Sequence, residues 1–343
     1  MTRTPIALRL SAQLLRGQRK RDPVSVVSHL LAVQGQDPRG ARLAIRARSK
    51  GLSAADVDRA LSEERSLLIT WLNRGTLHLI ASEDYPWLHA LTAPRMRTPN
   101  LTRLGQLGVD PDTTERAVKT VARALEREGP LHRLELRDRL RQAGLQTDQA
   151  LVHILIQVCI RGIAVRGPMK GGQHAYVRVE DWLGKTPKIE REAALAELAR
   201  RFLIGHGPAD AHDLARWSGL SLGDARAGLT AIASRLDHRQ DGLLDIAGRA
   251  PAARPRGPLM LGAFDPVLHG WRSRAELLGG HAPQITVGGM FVPFVLARDR
   301  ARAVWKILAG KVQVRELEPL SQDERTALDR ESQDVLRYLK LGS

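Results

Sequence analysis

Apolar residues recur at helical spacing in several stretches of the chain, and each stretch meets a residue that starts or stops helices. Residues 22–34 open with Asp22-Pro23, a cap and first-turn pair, and run on as VSVVSHLLAVQ up to Gly35. A second helix is expected just past Asp37-Pro38, reading RGARLAIRARSKG with Gly51 as its stop. A third, SAADVDRALSEE, follows Ser53. The period then changes to two, and SLLITWL and GTLHLIA, separated by Asn73-Arg74, read as a hairpin. Several helices closed by a hairpin make the outline of a winged helix-turn-helix.

The outline recurs. From Asp112, TTERAVKTVARALEREGPLHRLELRDRLRQAGL gives a helix, a Gly-Pro break and a second helix, TDQALVHILIQVCIRG a third, and IAVRGPMKGGQHAYVRV two strands around a glycine-rich tip. From Lys188 the chain again reads helix, Gly-Pro break, helix, turn and helix, so that Glu128-Gly129-Pro130-Leu131 and His206-Gly207-Pro208-Ala209 occupy equivalent places. After about residue 237 the pattern becomes strand-like, closed by one helix from Ser321 to about Leu341. The fold class expected is α+β, mainly helical. Winged-helix units would span 1–110, 111–186 and 187–237, with a β-rich carboxy-terminal module over 238–343.

Charge changes this picture from architecture to partner. The 343 residues carry 53 Lys+Arg against 37 Asp+Glu, a formal net charge of +16. Such an excess points to a polyanion, nucleic acid first and an anionic membrane surface second. Aromatics are 4% of the chain, which favours duplex binding through arginine over a base-stacking platform for single strands. Arginine greatly outnumbers lysine; this suits bidentate phosphate contacts but is also what GC-rich coding produces. The single cysteine, Cys159, lies in an apolar stretch and reads as a buried structural thiol. No run approaches the roughly 18 apolar residues of a spanning helix, so a soluble, cytoplasmic, nucleoid-associated monomer is expected.

Familiar catalytic signatures are missing from the sequence. The histidines and the cysteine form no metal-ligand spacing, and there is no Walker loop, Gly-x-Ser-x-Gly elbow or dinucleotide fingerprint. An enzyme built on this chain is expected to work without cofactor or metal. Two features remain as candidate chemistry. Arg39, Arg42, Arg46 and Lys50, spaced three, four and four, fall on one stripe of the second helix and either track a phosphate backbone or form a solvated face. Gln34 and Gln36 flank Gly35; on a regular helix they diverge by about 200°, whereas in a corner opened by the glycine both amides turn toward one cavity. The next helix would add positive potential there, and the pair would orient one water. Spacing alone fits a helix terminus with polar caps better than catalysis. Asp37 is the nearby carboxylate, a base on one reading and a helix cap on the other.

Gln34-Gly35-Gln36 after LLAV, Trp71 before RGTLHL at 74–79, GHGPADAHDLARWSGL at 205–220, AFDPVLHGWRSR at 263–274 and GGMFVPFVLARDRARAVW at 288–305 together resemble the AlkZ/YcaQ-type winged-helix DNA glycosylases, in order and over nearly the whole chain. The resemblance implies three tandem winged helices and a β-rich region forming a basic channel for duplex DNA. It implies excision of bulky N7-alkylated purines, unhooking of interstrand cross-links, and relatives that protect producers of DNA-alkylating antibiotics. The family's Gln-x-Gln pair, which positions the attacking water, maps onto Gln34 and Gln36. A sister branch has an acid at the second position, so Gln36 places this chain with the AlkZ branch; Gly35 stands where relatives often carry a larger apolar residue. Arg74 and His78 then become DNA contacts beside the site, or packing residues of the wing. An N7-alkylated base leaves as a neutral molecule and needs no general acid, which suits amides in place of carboxylates. A winged-helix transcription regulator and a non-catalytic lesion binder are the alternatives from other classes.

Overall fold

Aspartates start three helices, two of them where the sequence places them and the third, at Asp110, ahead of the expected Asp112. Asp22 accepts a hydrogen bond from the Ser25 amide at 2.7 Å, Asp37 from the Arg39 amide at 3.0 Å, and Asp110 from the Thr113 amide at 2.8 Å, each ahead of a proline in the first turn. The computed structural model describes residues 5–185, 187 and 189–341. Residues 186 and 188, at the boundary expected between the second and third winged helices, lie outside it. The chain divides into two compact units, one made of 1–57, 195–217 and 221–343, the other of 58–194 and 218–220.

In the second unit, the strands Leu67–Leu72 and Thr76–Ala81 pair antiparallel with Leu72 opposite Thr76, giving the expected hairpin with its turn at Asn73, Arg74 and Gly75. Strand Ala164–Lys170 pairs with Leu67–Leu72 on one side and with Gln173–Arg178 on the other. Helices Pro111–Glu128, Arg133–Gln142 and Leu151–Ile160 follow the predicted helix, break and helix order. Leu151–Ile160 lies in the core: Ile154, Leu155, Val158 and Cys159 pack with Val118, Val121, Leu136 and Trp71. Burial pushes the Cys159 thiol up to about 12, which leaves it protonated and inert.

In the first unit the carboxy-terminal region is β-rich, with strands in the order Lys311–Glu316, Arg300–Leu308, Phe294–Ala297 and Leu259–Leu261. Helix Gln322–Leu339, with the reciprocal Ser321/Glu324 capping box, covers this sheet; Leu328 and Val335 meet Met260, Val295 and Trp305. Leu43 of helix Pro38–Arg48 joins the same cluster. Residues 191–231 give helices Arg191–His206, Ala211–Ser218 and Leu222–Ala231, followed by a short hairpin, Leu236–His238 with Leu244–Ile246.

One predicted boundary moves. The helix expected over residues 22–34 ends at Leu30, where Leu31 takes φ +67°, and the chain is extended at Val33–Gln34. A left-handed leucine costs conformational energy that local sequence does not advertise, so the glycine four residues on was the misleading punctuation. Gly35 is not among the described residues with positive φ.

Candidate active site

The corner carrying Gln34 and Gln36 is a strand end feeding a helix, not a helix terminus. An extended backbone lets residues two apart share a side, which a helix forbids. Gln34 is 6% exposed, and its Oε1 is buried with no hydrogen-bond partner among the described residues. Leaving such an acceptor unsatisfied costs about 1–3 kcal/mol. Gln36 is exposed, and Asp37 caps the following helix. The corner therefore sets a covered, unspent amide oxygen beside an open amide and the amino-terminal end of a helix.

That helix, Pro38–Arg48, is fixed from behind. A Cβ on Gly40 would stand 2.3 Å from the Ala263 carbonyl oxygen, and one on Gly262 would stand 2.9 Å from Gly40 Cα, so two glycines let helix and chain cross at close range. Arg48, fully buried, uses its whole guanidinium: Nη1 and Nη2 donate to Asp265 at 2.9 and 2.7 Å, Nη2 to Gln13 Oε1 at 3.0 Å, Nε to the Gln13 carbonyl at 2.8 Å, and Nη1 to the Ala44 carbonyl at 2.9 Å. Asp265 Oδ1 also accepts from the Val267 amide. Arg256, which burial pulls down to about 10, donates to the Leu14 and Ala47 carbonyls. These bonds close the carboxy-terminal end of the helix and leave its amino-terminal end to the corner.

The basic stripe expected on this helix is not a solvent-facing track. Arg39 and Lys50 are exposed, but Arg42 is 9% exposed and donates to the Pro38 carbonyl at 2.9 Å. Arg46, 3% exposed, is held by Glu331 at 2.6 Å, Asp334 at 2.8 Å and the Met260 carbonyl at 2.8 Å. Burial opposes its charge, yet the two carboxylates keep the guanidinium above its ordinary value. The acids that neutralise Arg46 lie 285 and 288 residues downstream, out of reach of a helical-periodicity argument.

On the hairpin of the second unit, Arg74 is exposed at the tip. His78 is 5% exposed, its Nδ1 lies 2.9 Å from the Thr76 carbonyl, and burial with the nearby Arg74 charge pushes its imidazole down to about 3. The ring is covered within the strand, which favours the packing reading of His78 over the phosphate contact. Gln13, which the sequence did not mark, is the residue missed; only its hydrogen bonds with Arg48 reveal it.

The sequence profile described as "DNA glycosylase AlkZ-like" matches residues 27–338. The chain belongs to the AlkZ-like DNA glycosylases. Within that family, the "Interstrand DNA cross-link repair glycosylase" of Streptomyces sahachiroi is 26% identical over 368 residues, covering 98% of this chain and 95% of that protein. The solved structure of "Streptomyces sahachiroi DNA glycosylase AlkZ" superposes with a TM-score of 0.81 at 22% identity, covering 97% of this chain and 95% of that one. The second likeness establishes the fold of this AlkZ-like chain. Among its described residues no helix is long and apolar enough to cross a membrane.

Two buried imidazoles give this AlkZ-like protein an acid-sensitive stability. His206, stacked on Phe202 at 5.0 Å, is pushed down by burial to about 3, as is His78. The unfolded chain takes up protons on both near pH 6.5 while the folded chain does not, so stability is full above that pH and falls toward pH 3. Each imidazole costs up to about 1.4 kcal/mol per pH unit in that window. The urea midpoint is expected to drop between pH 6.5 and 4.5, less steeply in His206→Phe, which keeps a ring against Phe202; equal slopes would remove His206 from the account.

Proposed function

We propose that this protein is a monofunctional DNA glycosylase that hydrolyses the N-glycosidic bond of bulky N7-alkylated purines in duplex DNA. It acts as a monomer on cross-links as well as monoadducts, in repair or in self-resistance to a genotoxic natural product. Gln34 and Gln36 hold the attacking water, and Asp37 serves as the helix cap. The observation that carries this reading is the buried Gln34 Oε1 without a hydrogen-bond partner among the described residues, next to the exposed Gln36. An acceptor kept in reserve is suited to orienting a water, and its cost to folding marks a functional position.

The chemistry follows from what amides do. A cationic N7-alkylpurine departs as a neutral base, so the site has only to favour an electron-poor sugar and deliver water. Two amide oxygens present negative ends of dipoles to both without needing to ionise. Exposed Arg39, Lys50 and Arg74 hold phosphates in this reading, while Arg42, Arg46 and His78 support the elements that carry them. Family membership, the relative named as a cross-link repair glycosylase and the charge of +16 all favour it. We read the helical sets with their hairpins as three winged helices ahead of the β-rich region. Burial of Leu151–Ile160, the third helix of the second set, argues against a regulator that lays such a helix in the major groove.

The test is incubation of the purified protein with duplex DNA carrying a defined N7-alkylguanine, followed by assay of released base and alkali-labile abasic sites. Release without strand cleavage is expected. No release under single-turnover conditions, across small and bulky adducts, sinks the proposal.

A further inference from the structure

The three, four, four spacing that failed on Pro38–Arg48 occurs again on Pro111–Glu128, at Arg116, Lys119, Arg123 and Arg127. Here all four side chains are exposed, and none makes an ion pair or hydrogen bond with a described residue. The opposite side of the helix, with Ala117, Val118, Val121, Ala124 and Leu125, is buried, so the cations line the crest facing solvent.

Flanking carboxylates are drawn away from this crest. Glu115 is held bidentately by Arg161 at 2.9 and 2.7 Å, Glu128 by Arg139 at 2.7 and 2.6 Å, and Glu126 by Arg178 at 3.2 Å. Asp112 sits at the first turn, where the helix dipole favours an acid. The same residues that would cancel the stripe are spent on arginines from elsewhere in the second unit.

We infer that this crest grips the phosphate backbone of duplex DNA. The proposed function supplies the occupant; the stripe supplies the fit. The eleven residue steps from Arg116 to Arg127 span about 16 Å, a length over which one DNA strand presents about five phosphates. Four cations with no ion pair among the described residues, carried on one helix, match that run without reading any base. Such a contact fixes where the protein sits on the duplex and leaves sequence choice to other groups.

The experiment measures equilibrium binding to undamaged duplex across a salt series, so it needs no catalysis. Arg116→Gln, Lys119→Gln, Arg123→Gln and Arg127→Gln are combined in one variant, all to a residue of similar helix propensity. A comparison variant removes the same charge from the exposed Arg300, Lys306, Lys311 and Arg315 of the carboxy-terminal strands. The stripe variant is expected to keep its thermal midpoint, bind at least about tenfold more weakly near 0.1 M salt, and show a log-log salt slope shallower by about three to four. The comparison variant is expected to change much less. Unaltered binding by the stripe variant, equal losses in both, or no salt-dependent duplex binding by the parent protein overturns the inference. So does a stripe variant that keeps DNA but loses anionic phosphatidylserine vesicles. A parent that releases no base yet binds duplex through the stripe would drop the glycosylase reading and keep this one.

Discussion

Gln34→Ala is expected to slow base release about a hundredfold, the scale for losing one positioned catalytic group, with duplex affinity nearly unchanged. Two features make the separation clean. Gln34 is buried, so it contributes little to a DNA-facing surface, and its Oε1 has no hydrogen-bond partner among the described residues to lose. Removing an unsatisfied buried amide is expected to leave stability level or slightly raised. Gln36→Ala follows the same pattern at an exposed position. Single-turnover excision, filter-binding affinity and a melting curve on the same preparations decide it. If rate and affinity fall together, the corner is a structural element of the DNA surface; if the rate holds, the glutamines are not catalytic.

Asp265→Ala is expected to cost about 3–5 kcal/mol of stability, because it strands the guanidinium of Arg48 in the interior. Both side chains are fully buried, and the pair anchors the helix that leaves the Gln34/Gln36 corner. The companion Arg48→Met exchange, combined with Asp265→Leu, is expected to recover much of the loss, since burying two apolar groups avoids the desolvation that the ion pair must offset. Chemical denaturation of Asp265→Leu, Arg48→Met and the double variant gives the coupling directly. Additive losses would mean that the two residues act independently.

Much of this molecule is written locally in its sequence. Asp22-Pro23 and Asp37-Pro38 announce helix starts, and Leu67–Ala81 announces a hairpin by its alternating period, because capping and pleat depend on neighbours a few residues away. The helices and hairpins read between 22 and 81 and between 112 and 178, and the β-rich carboxy-terminal region, followed for the same reason, whereas helices Pro5–Ala12, Tyr85–Thr92 and Pro94–Gln106 were not read from the sequence. The corner itself was found, but its shape was not: nothing in LLAVQGQ says that Leu31 rather than Gly35 turns the chain. The two basic stripes make the same point from chemistry. Identical spacing at 39, 42, 46, 50 and at 116, 119, 123, 127 leaves all four cations exposed in the second case but buries Arg42 and Arg46 in the first, where Glu331 and Asp334 hold Arg46. Periodicity sets which residues share a face; distant contacts decide whether that face meets water.

The anchoring of Arg48 also sets a timetable for synthesis. Its partner Asp265 lies 217 residues further along the chain, so at about 5–20 residues per second the ribosome delivers the acid on the order of ten to forty seconds after the base. During that interval the opening stretch of the first unit, residues 1–57, waits without its later stretches, while residues 58–194 emerge as one continuous piece able to close ahead of it. The nascent chain thus spends tens of seconds with its glutamine corner made but not yet braced, a natural window for chaperone attention.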